Sequence, residues 1–157
     1  MSARSVTHAT FVIERTYPAA PARVFNAFAD PKVKARWFKG PDDWGADAFE
    51  MDFRVGGRET NRGGPPGGPV HSFECRYYDI VPNERIIYTY DMHLDAKRIS
   101  VSLATLEFRP EGGGTRLVLT EQGAFLDGYD DAGQREQGTR ELLDALGAEL
   151  RREPART

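Results

Sequence analysis

From Trp44 to Gln122 the chain runs through one strand-length alternation of apolar and polar residues after another, with only short connections between them. Parallel neighbours need a crossover of a dozen residues or more, so these runs must pair as an antiparallel meander. A strand followed by two short helical stretches precedes the meander, and one long helical stretch, residues 134–152, follows it. Together they describe an α+β chain in which a curved sheet folds around a long helix, an arrangement that tends to leave a pocket.

The first predicted strand covers residues 10–17, where Phe11, Ile13 and Arg15 alternate with Val12, Glu14 and Thr16. Pro18 ends it, and Pro21 falls in a helical first turn, where its missing N–H has no partner to lose. Val24, Phe25 and Phe28 give that helix one apolar face, and Asp30 breaks it and caps the next. In the second helix Val33 and Trp37 share a face. Lys32, Lys34, Arg36 and Lys39 point largely elsewhere and read as a solvated basic face, or else as a dock for an acidic ligand or partner.

Phe49, Met51 and Phe53 then alternate with Glu50, Asp52 and Arg54, and Gly56-Gly57 supplies a tight turn, so residues 58–62 are expected to return as a polar, exposed edge strand. Residues 63–69 are rich in glycine and proline but lack the Gly-Lys-Ser/Thr ending of a phosphate loop, and read as a mobile connection. In the strands that follow, His71, Phe73, Cys75 and Tyr77 share a face, as do Ile86, Tyr88, Tyr90 and Met92, and then Ser102, Ala104, Leu106 and Phe108. Glu121 is in phase with the inward Leu117 and Leu119. Residues 123–129 place Phe125 and Leu126 between glycines, as a lid or a hydrophobic plug would. Asp131 caps the last helix, whose core stripe is Leu142, Leu143, Leu146 and Leu150. Gly138 inside that helix marks either a close approach to the sheet or a ligand, or a tolerated weakness.

The 157 residues suit one domain, placed at residues 9–152 between a flexible N-terminus, 1–8, and a tail, 153–157. A net charge of −3 supplies no positive field for nucleic acid, and no apolar run approaches the ~20 residues that cross a bilayer. The N-terminus has no secretory apolar core and the single cysteine, Cys75, has no internal partner, so a cytoplasmic location is expected.

Catalytic signals are sparse. Glu50 and Asp52 share a strand face, but the one opposite the apolar residues. His71 and His93 have no neighbouring carboxylate or cysteine spacing that would argue for a metal. A thiol in an apolar strand, as Cys75 is, is normally inert. No Ser-His-Asp or Cys-His arrangement assembles from three histidines, and no catalytic residue, metal or cofactor is expected.

The sequence resembles the START-like, or SRPBCC, superfamily, and within it the branch named for the activator of Hsp90 ATPase (AHSA1-like). The resemblance rests on Ala20-Pro21-x-x-Val24-Phe25-x-Ala27-Phe28-x-Asp30-Pro31 followed by Trp37, on Asp52-x-Arg54-x-Gly56-Gly57, on Pro82-x-Glu84-Arg85 and on Gly113-Gly114-Thr115-Arg116-Leu117. It covers roughly residues 9–151. One departure is Gly138-Thr139, where the family commonly has Gly-Trp, so ligands of relatives do not transfer.

The resemblance implies a helix-grip fold of the START and Bet v 1 kind, with a cavity between the sheet and the terminal helix. Its lining would be Phe49, Met51, Phe53, Phe73, Cys75, Tyr77, Tyr88, Tyr90, Met92 and Leu142, with Trp37, Phe38 and Trp44 closing one end. The tyrosines would be the polar hooks for a small, mostly apolar or aromatic ligand, with His71 and Glu121 secondary. Inner-face aromatics filling a plain core are the alternative. At about 24 cal/mol per Å³, an empty void of ~300 Å³ would cost roughly 7 kcal/mol, comparable to a whole domain's stability of about 5–15 kcal/mol. A sizeable cavity must therefore be wet, occupied or partly collapsed. A cyclase, aromatase or hydratase using the same pocket is the enzymatic alternative. A chaperone-associated interaction module is another, though only the C-terminal type of domain of the eukaryotic activator is matched, so a chaperone partner is not expected. A homodimer is compatible with the fold.

Overall fold

The computed structural model describes residues 4–41 and 44–152, with 45–48 by their backbone alone. The expected tail, 153–157, and the first three residues of the expected N-terminal segment lie outside the described residues. β1 (Val6–Tyr17) leads into α1 (Pro21–Ala29) and α2 (Pro31–Trp37). Then come β2 (Gly45–Met51), β3 (Arg58–Gly64), β4 (His71–Val81), β5 (Arg85–Leu94), β6 (Lys97–Glu111), β7 (Gly114–Leu126) and α3 (Ala132–Arg152). The strands form one curved antiparallel sheet in the order β1-β7-β6-β5-β4-β3-β2. β2 to β7 are therefore the expected meander, and α1 and α2 carry the chain from one edge of the sheet to the other.

Three elements differ from expectation. β1 starts at Val6, because residues 6–9 pair with Leu126 through Gly123; Thr7 and Ala9 fill the inward phase, and such small side chains leave little alternation to detect. β3 is an interior strand between β2 and β4, not an edge, and β2 takes the edge position. Residues 123–126, read as lid or plug, continue β7 in register with β1 and β6, and Phe125 is buried there. Seated in two ladders, this segment has the form of the plug.

The β2–β3 turn shows why its glycines are glycines. Gly56 sits at φ 85°, a region closed to most side chains, and a Cβ on Gly57 would meet the Asp52 carbonyl oxygen at 2.1 Å.

The core lies between the inner face of the sheet and the three helices. Val24, Phe25 and Phe28 of α1 are buried, as the pattern predicted. Asp30 caps α2, accepting from the Lys32 N–H at 2.9 Å, and Asp131 caps α3 through the Gln134 N–H at 2.9 Å. α3 is fastened at its C-terminal half: the buried Tyr17 hydroxyl donates to the Leu143 carbonyl at 2.7 Å, Arg15 meets Asp144 at 3.3 Å, and Arg36 of α2 meets Glu149 at 3.0 Å. The close helix-to-sheet approach is at Gly147, where a Cβ would come within 3.2 Å of the Tyr17 ring, and not at Gly138, where a Cβ would meet nothing within 4 Å. At the backbone α3 lies nearest β1 and α2.

Candidate functional site

The strand registers stack the inner-face side chains in rows across the sheet. One row runs Met51, Glu59, Cys75, Tyr90, Ser102, Gly123 and Ala9; the next runs Tyr77, Tyr88, Ala104, Glu121 and Phe11. Bulky rings therefore sit on β4 and β5, and small side chains on β6 and β7. α3 meets these rows at Arg135, which hydrogen-bonds Tyr90, and Leu142, two turns on, packs against the core.

Most of the sequence-derived lining residues do come together. Phe25, Phe53, Tyr77, Tyr88, Tyr90, Phe73, Phe38, Trp37, Phe28 and Phe108 form a closed circuit of rings, each 4.9–6.0 Å from the next by centroid. Phe73–Tyr90 and Tyr88–Tyr90 are tilted and the other contacts are edge-to-face, a geometry that contributes about 0.5–1.5 kcal/mol per pair beyond area burial. Trp37 is buried and its indole N–H donates to the Ala27 carbonyl at 3.0 Å, which places it in the α1–α2 packing. Phe38, Phe53, Met92 and Leu142 are half-buried against the core, and Phe49 and Met51 are half-buried on the β2 edge strand. Trp44 lies apart from the circuit, stacked on His71 at 4.6 Å. Burial lowers the His71 imidazole below its ordinary value, against the opposite pull of Asp130 and Asp95. Burial pushes the Cys75 thiol up to about 12, with Glu59 adding to the shift; such a thiol is no nucleophile near neutral pH.

Two polar clusters occupy the inner face, and sequence reasoning found only part of each. The first is Lys34, Glu59 and Tyr77. Lys34 was read as part of a solvated basic face and Glu59 as part of an exposed edge strand, yet they are 3% and 0% exposed. Lys34 Nζ lies 2.7 Å from Glu59 Oε1 and 4.5 Å over the Phe38 ring, and the Tyr77 hydroxyl donates to the same carboxylate oxygen. Glu59 Oε2 is buried with no hydrogen-bond partner. Leaving a buried acceptor unpaired costs about 1–3 kcal/mol, more for a charged group.

The second cluster is built on Arg135 in the first turn of α3. Its guanidinium donates to Asp130 at 2.5 Å, to Ser100 Oγ at 2.8 Å and to the Tyr90 hydroxyl at 3.2 Å, and it packs over the Tyr90 and Phe125 rings. Tyr90 in turn donates to Glu121 Oε2 at 2.6 Å. The buried Ser102 Oγ lies next to this carboxyl without a hydrogen bond of ordinary length. Burial raises the Glu121 carboxyl above its ordinary 4.5, outweighing Tyr90 and Arg135, which lower it.

That shift carries a sign. A carboxyl with a raised folded-state pKa keeps its proton in the folded chain after the unfolded chain has lost it. Its stabilising contribution is complete below pH 4.5 and is lost as pH climbs through the raised value. Glu121→Gln is therefore expected to remove a fall in stability with rising pH. In urea unfolding, the midpoint difference between variant and wild type should grow in the variant's favour from pH 4.5 upward; parallel profiles would contradict the assignment.

Tyr88 stands between the clusters. Burial pushes its phenol well above its ordinary value, with Tyr90, Glu121, Cys75 and Glu59 adding to the shift. Its side chain nonetheless keeps some accessible surface. Tyr77 and Tyr90 spend their hydroxyls on carboxylates, whereas the Tyr88 hydroxyl has no protein partner among the described residues.

On the outside, an open groove of about 420 Å³ follows the β2–β3 hairpin along Glu50, Met51, Asp52, Arg54, Gly56, Gly57 and Arg58. Asp52 is exposed there and paired with Arg54 at 2.8 Å, as expected of an outward carboxylate. Among the described residues, no group of three or more His, Cys, Asp or Glu is arranged to hold a metal ion, and no helix is long and apolar enough to cross a membrane.

The family model described as Activator of Hsp90 ATPase homolog 1-like protein matches residues 18–151, nearly all of this fold. The chain belongs to that family. Among solved structures, this AHSA1-like chain is similar to a Rhizobium leguminosarum protein at 49% identity, over 97% of this chain and 100% of the other, with a TM-score of 0.92. A Rhizobium loti protein is 51% identical over 92% and 99% of the two chains, TM-score 0.86. One from Chromobacterium violaceum is 29% identical over 93% and 98%, TM-score 0.76. No curated protein matches the chain.

Proposed function

We propose that this AHSA1-like protein binds a small, mostly apolar or aromatic molecule between the inner face of its sheet and α3. The observation that carries this reading is Tyr88, a half-buried phenol on the inner face of the sheet whose hydroxyl has no protein partner among the described residues. A phenol hydroxyl left accessible on an inner face is free to hydrogen-bond water or a ligand. Ring faces from β4 and β5 and the Leu142 side of α3 would supply apolar contact, while Tyr88 would supply orientation.

Native mass spectrometry of freshly purified protein, compared with the denatured mass, tests this. The expected result is a noncovalent adduct that disappears on denaturation, or binding of added aromatic compounds where the purified protein arrives empty. A bare mass together with no aromatic or acyl compound raising the melting temperature would favour a filled core.

The Arg135–Tyr90–Glu121 chain supports a second reading, in which the same space positions a reactive substrate of a cyclase- or hydratase-type enzyme. A carboxyl raised by burial and bonded to a phenol is suited to hold and pass on a proton. Turnover abolished by Glu121→Gln with binding retained would separate this reading from simple binding.

A further inference from the structure

We infer that β1 is a self-association edge: two copies of this chain pair their β1 strands antiparallel across a two-fold axis at Phe11, joining two seven-stranded sheets into one. β1 ends the sheet, with β7 on one side and no strand on the other. Exposed edges are ordinarily guarded by short length, a bulge, a proline or a lysine. β2, the opposite edge, is seven residues long and carries a register shift between Ala46 and Ala48. β1 runs for twelve residues in unbroken register and holds no proline, glycine or lysine.

The ladder fixes which backbone groups of β1 are open. The Ser5 carbonyl accepts from the Asp127 N–H at 2.8 Å, and in an antiparallel pair hydrogen-bonded residues alternate with residues whose groups turn away. Odd-numbered residues of β1 therefore bond β7, and Val6, His8, Thr10, Val12, Glu14 and Thr16 turn N–H and C=O to the open side. All six side chains are exposed, Val6 at 51% and Val12 at 49%. α3 meets β1 through Arg15 and Tyr17, both in the other phase.

Two-fold pairing can set open residues opposite open residues only in steps of two, and one register uses all six. It puts Val6 opposite Thr16, His8 opposite Glu14 and Thr10 opposite Val12, each twice, as an isologous interface requires. There an imidazole N–H meets a carboxylate, no like charges face each other, and the two exposed Val12 side chains become diagonal neighbours. On the inner face Ala9 falls opposite Ile13, and Phe11 opposite its own copy. A shift of two residues either way leaves one end unpaired and sets His8 against Val12 or Thr16.

Sedimentation velocity of the intact protein tests this. Wild type should sediment as a dimer at high micromolar concentration and dissociate on dilution. Val12→Lys sets two ammonium groups diagonally across the axis at an exposed position, so it should abolish the dimer and leave the circular dichroism spectrum unchanged. His8→Glu places a carboxylate opposite Glu14 at two symmetric points and should weaken association about tenfold. Adding Glu14→Gln to His8→Glu should restore most of that loss, a rescue peculiar to this register. Should Val12→Lys not fold, Thr10→Pro replaces it, removing an open N–H and no bond to β7. A monomer throughout the concentration range overturns the second copy as occupant of this edge, and a dimer indifferent to Val12→Lys places the contact elsewhere and overturns it too. A dimer broken by Val12→Lys but indifferent to His8→Glu overturns the register.

Discussion

Replacing Lys34 with methionine is expected to lower the unfolding free energy by about 3–5 kcal/mol, the range for breaking a buried ion pair from one side. Lys34 and Glu59 side chains are 4% and 0% exposed, and their nitrogen and oxygen are 2.7 Å apart. Without the ammonium, the Glu59 charge would remain buried with one phenolic hydrogen bond and an oxygen that already lacks a partner. That loss is a large share of the total for an ordinary domain, about 5–15 kcal/mol. Combining Lys34→Met with Glu59→Gln removes the stranded charge while keeping an acceptor for Tyr77, so the double variant should be more stable than Lys34→Met alone. Urea denaturation of the wild type, both single variants and the double closes the cycle. A Lys34→Met loss under about 1 kcal/mol, the scale of exposed pairs, would show that the pair is solvated.

Trp37→Ala should cost a similar amount, about 3–5 kcal/mol, for a different reason. The indole is buried edge-to-face against Phe28 at 5.0 Å and Phe38 at 5.7 Å, and its N–H satisfies the Ala27 carbonyl near the end of α1. Truncation opens a cavity where α1 meets α2 and frees that carbonyl. Trp37→Phe restores much of the volume but not the hydrogen bond, so it should fall between alanine and wild type. Equal losses for both substitutions would mean that the hydrogen bond, and not the packing, dominates. Trp37→Ala would also loosen Phe38 and its neighbour Phe73 in the ring circuit, so its effect should reach the inner face of the sheet.

Much of this fold could be read from alternation because its inward residues are large and apolar. The β4 series Phe73, Cys75, Tyr77 and the β5 series Ile86, Tyr88, Tyr90 announce their faces directly. Glu59 does not. In β3 the inward phase is filled by Glu59 and Asn61, so Arg58-Glu59-Thr60-Asn61-Arg62 carries no apolar alternation and looks like a solvated edge. Register would have revealed it: a hairpin that points Met51 inward points its partner Glu59 inward too. Lys34 was hidden by company, being one of several basic residues around a seven-residue helix, most of which are exposed while it is itself buried. Arg135 was nearer to legible. It precedes Leu142 and Leu146 by whole helical repeats on the face that turns to the sheet, but a charged residue in that phase is easily assigned to solvent. Polar residues in apolar phase are a weak signal in one sequence, and here they build both clusters at the proposed site.

The most direct test of an internal binding space uses the methionines, of which the chain has three: Met1, Met51 and Met92. Met92 lies on the inner face of β5, half-buried against the core, and Met51 lies in the Glu59 row. Methyl spectra of ¹³C-methionine-labelled protein titrated with 2-naphthol should show the Met92 resonance, and more weakly that of Met51, moving saturably while Met1 stays fixed. If the Met92 methyl does not move at ligand concentrations that saturate a calorimetric titration, the molecule binds elsewhere and the interior between sheet and α3 is simply core.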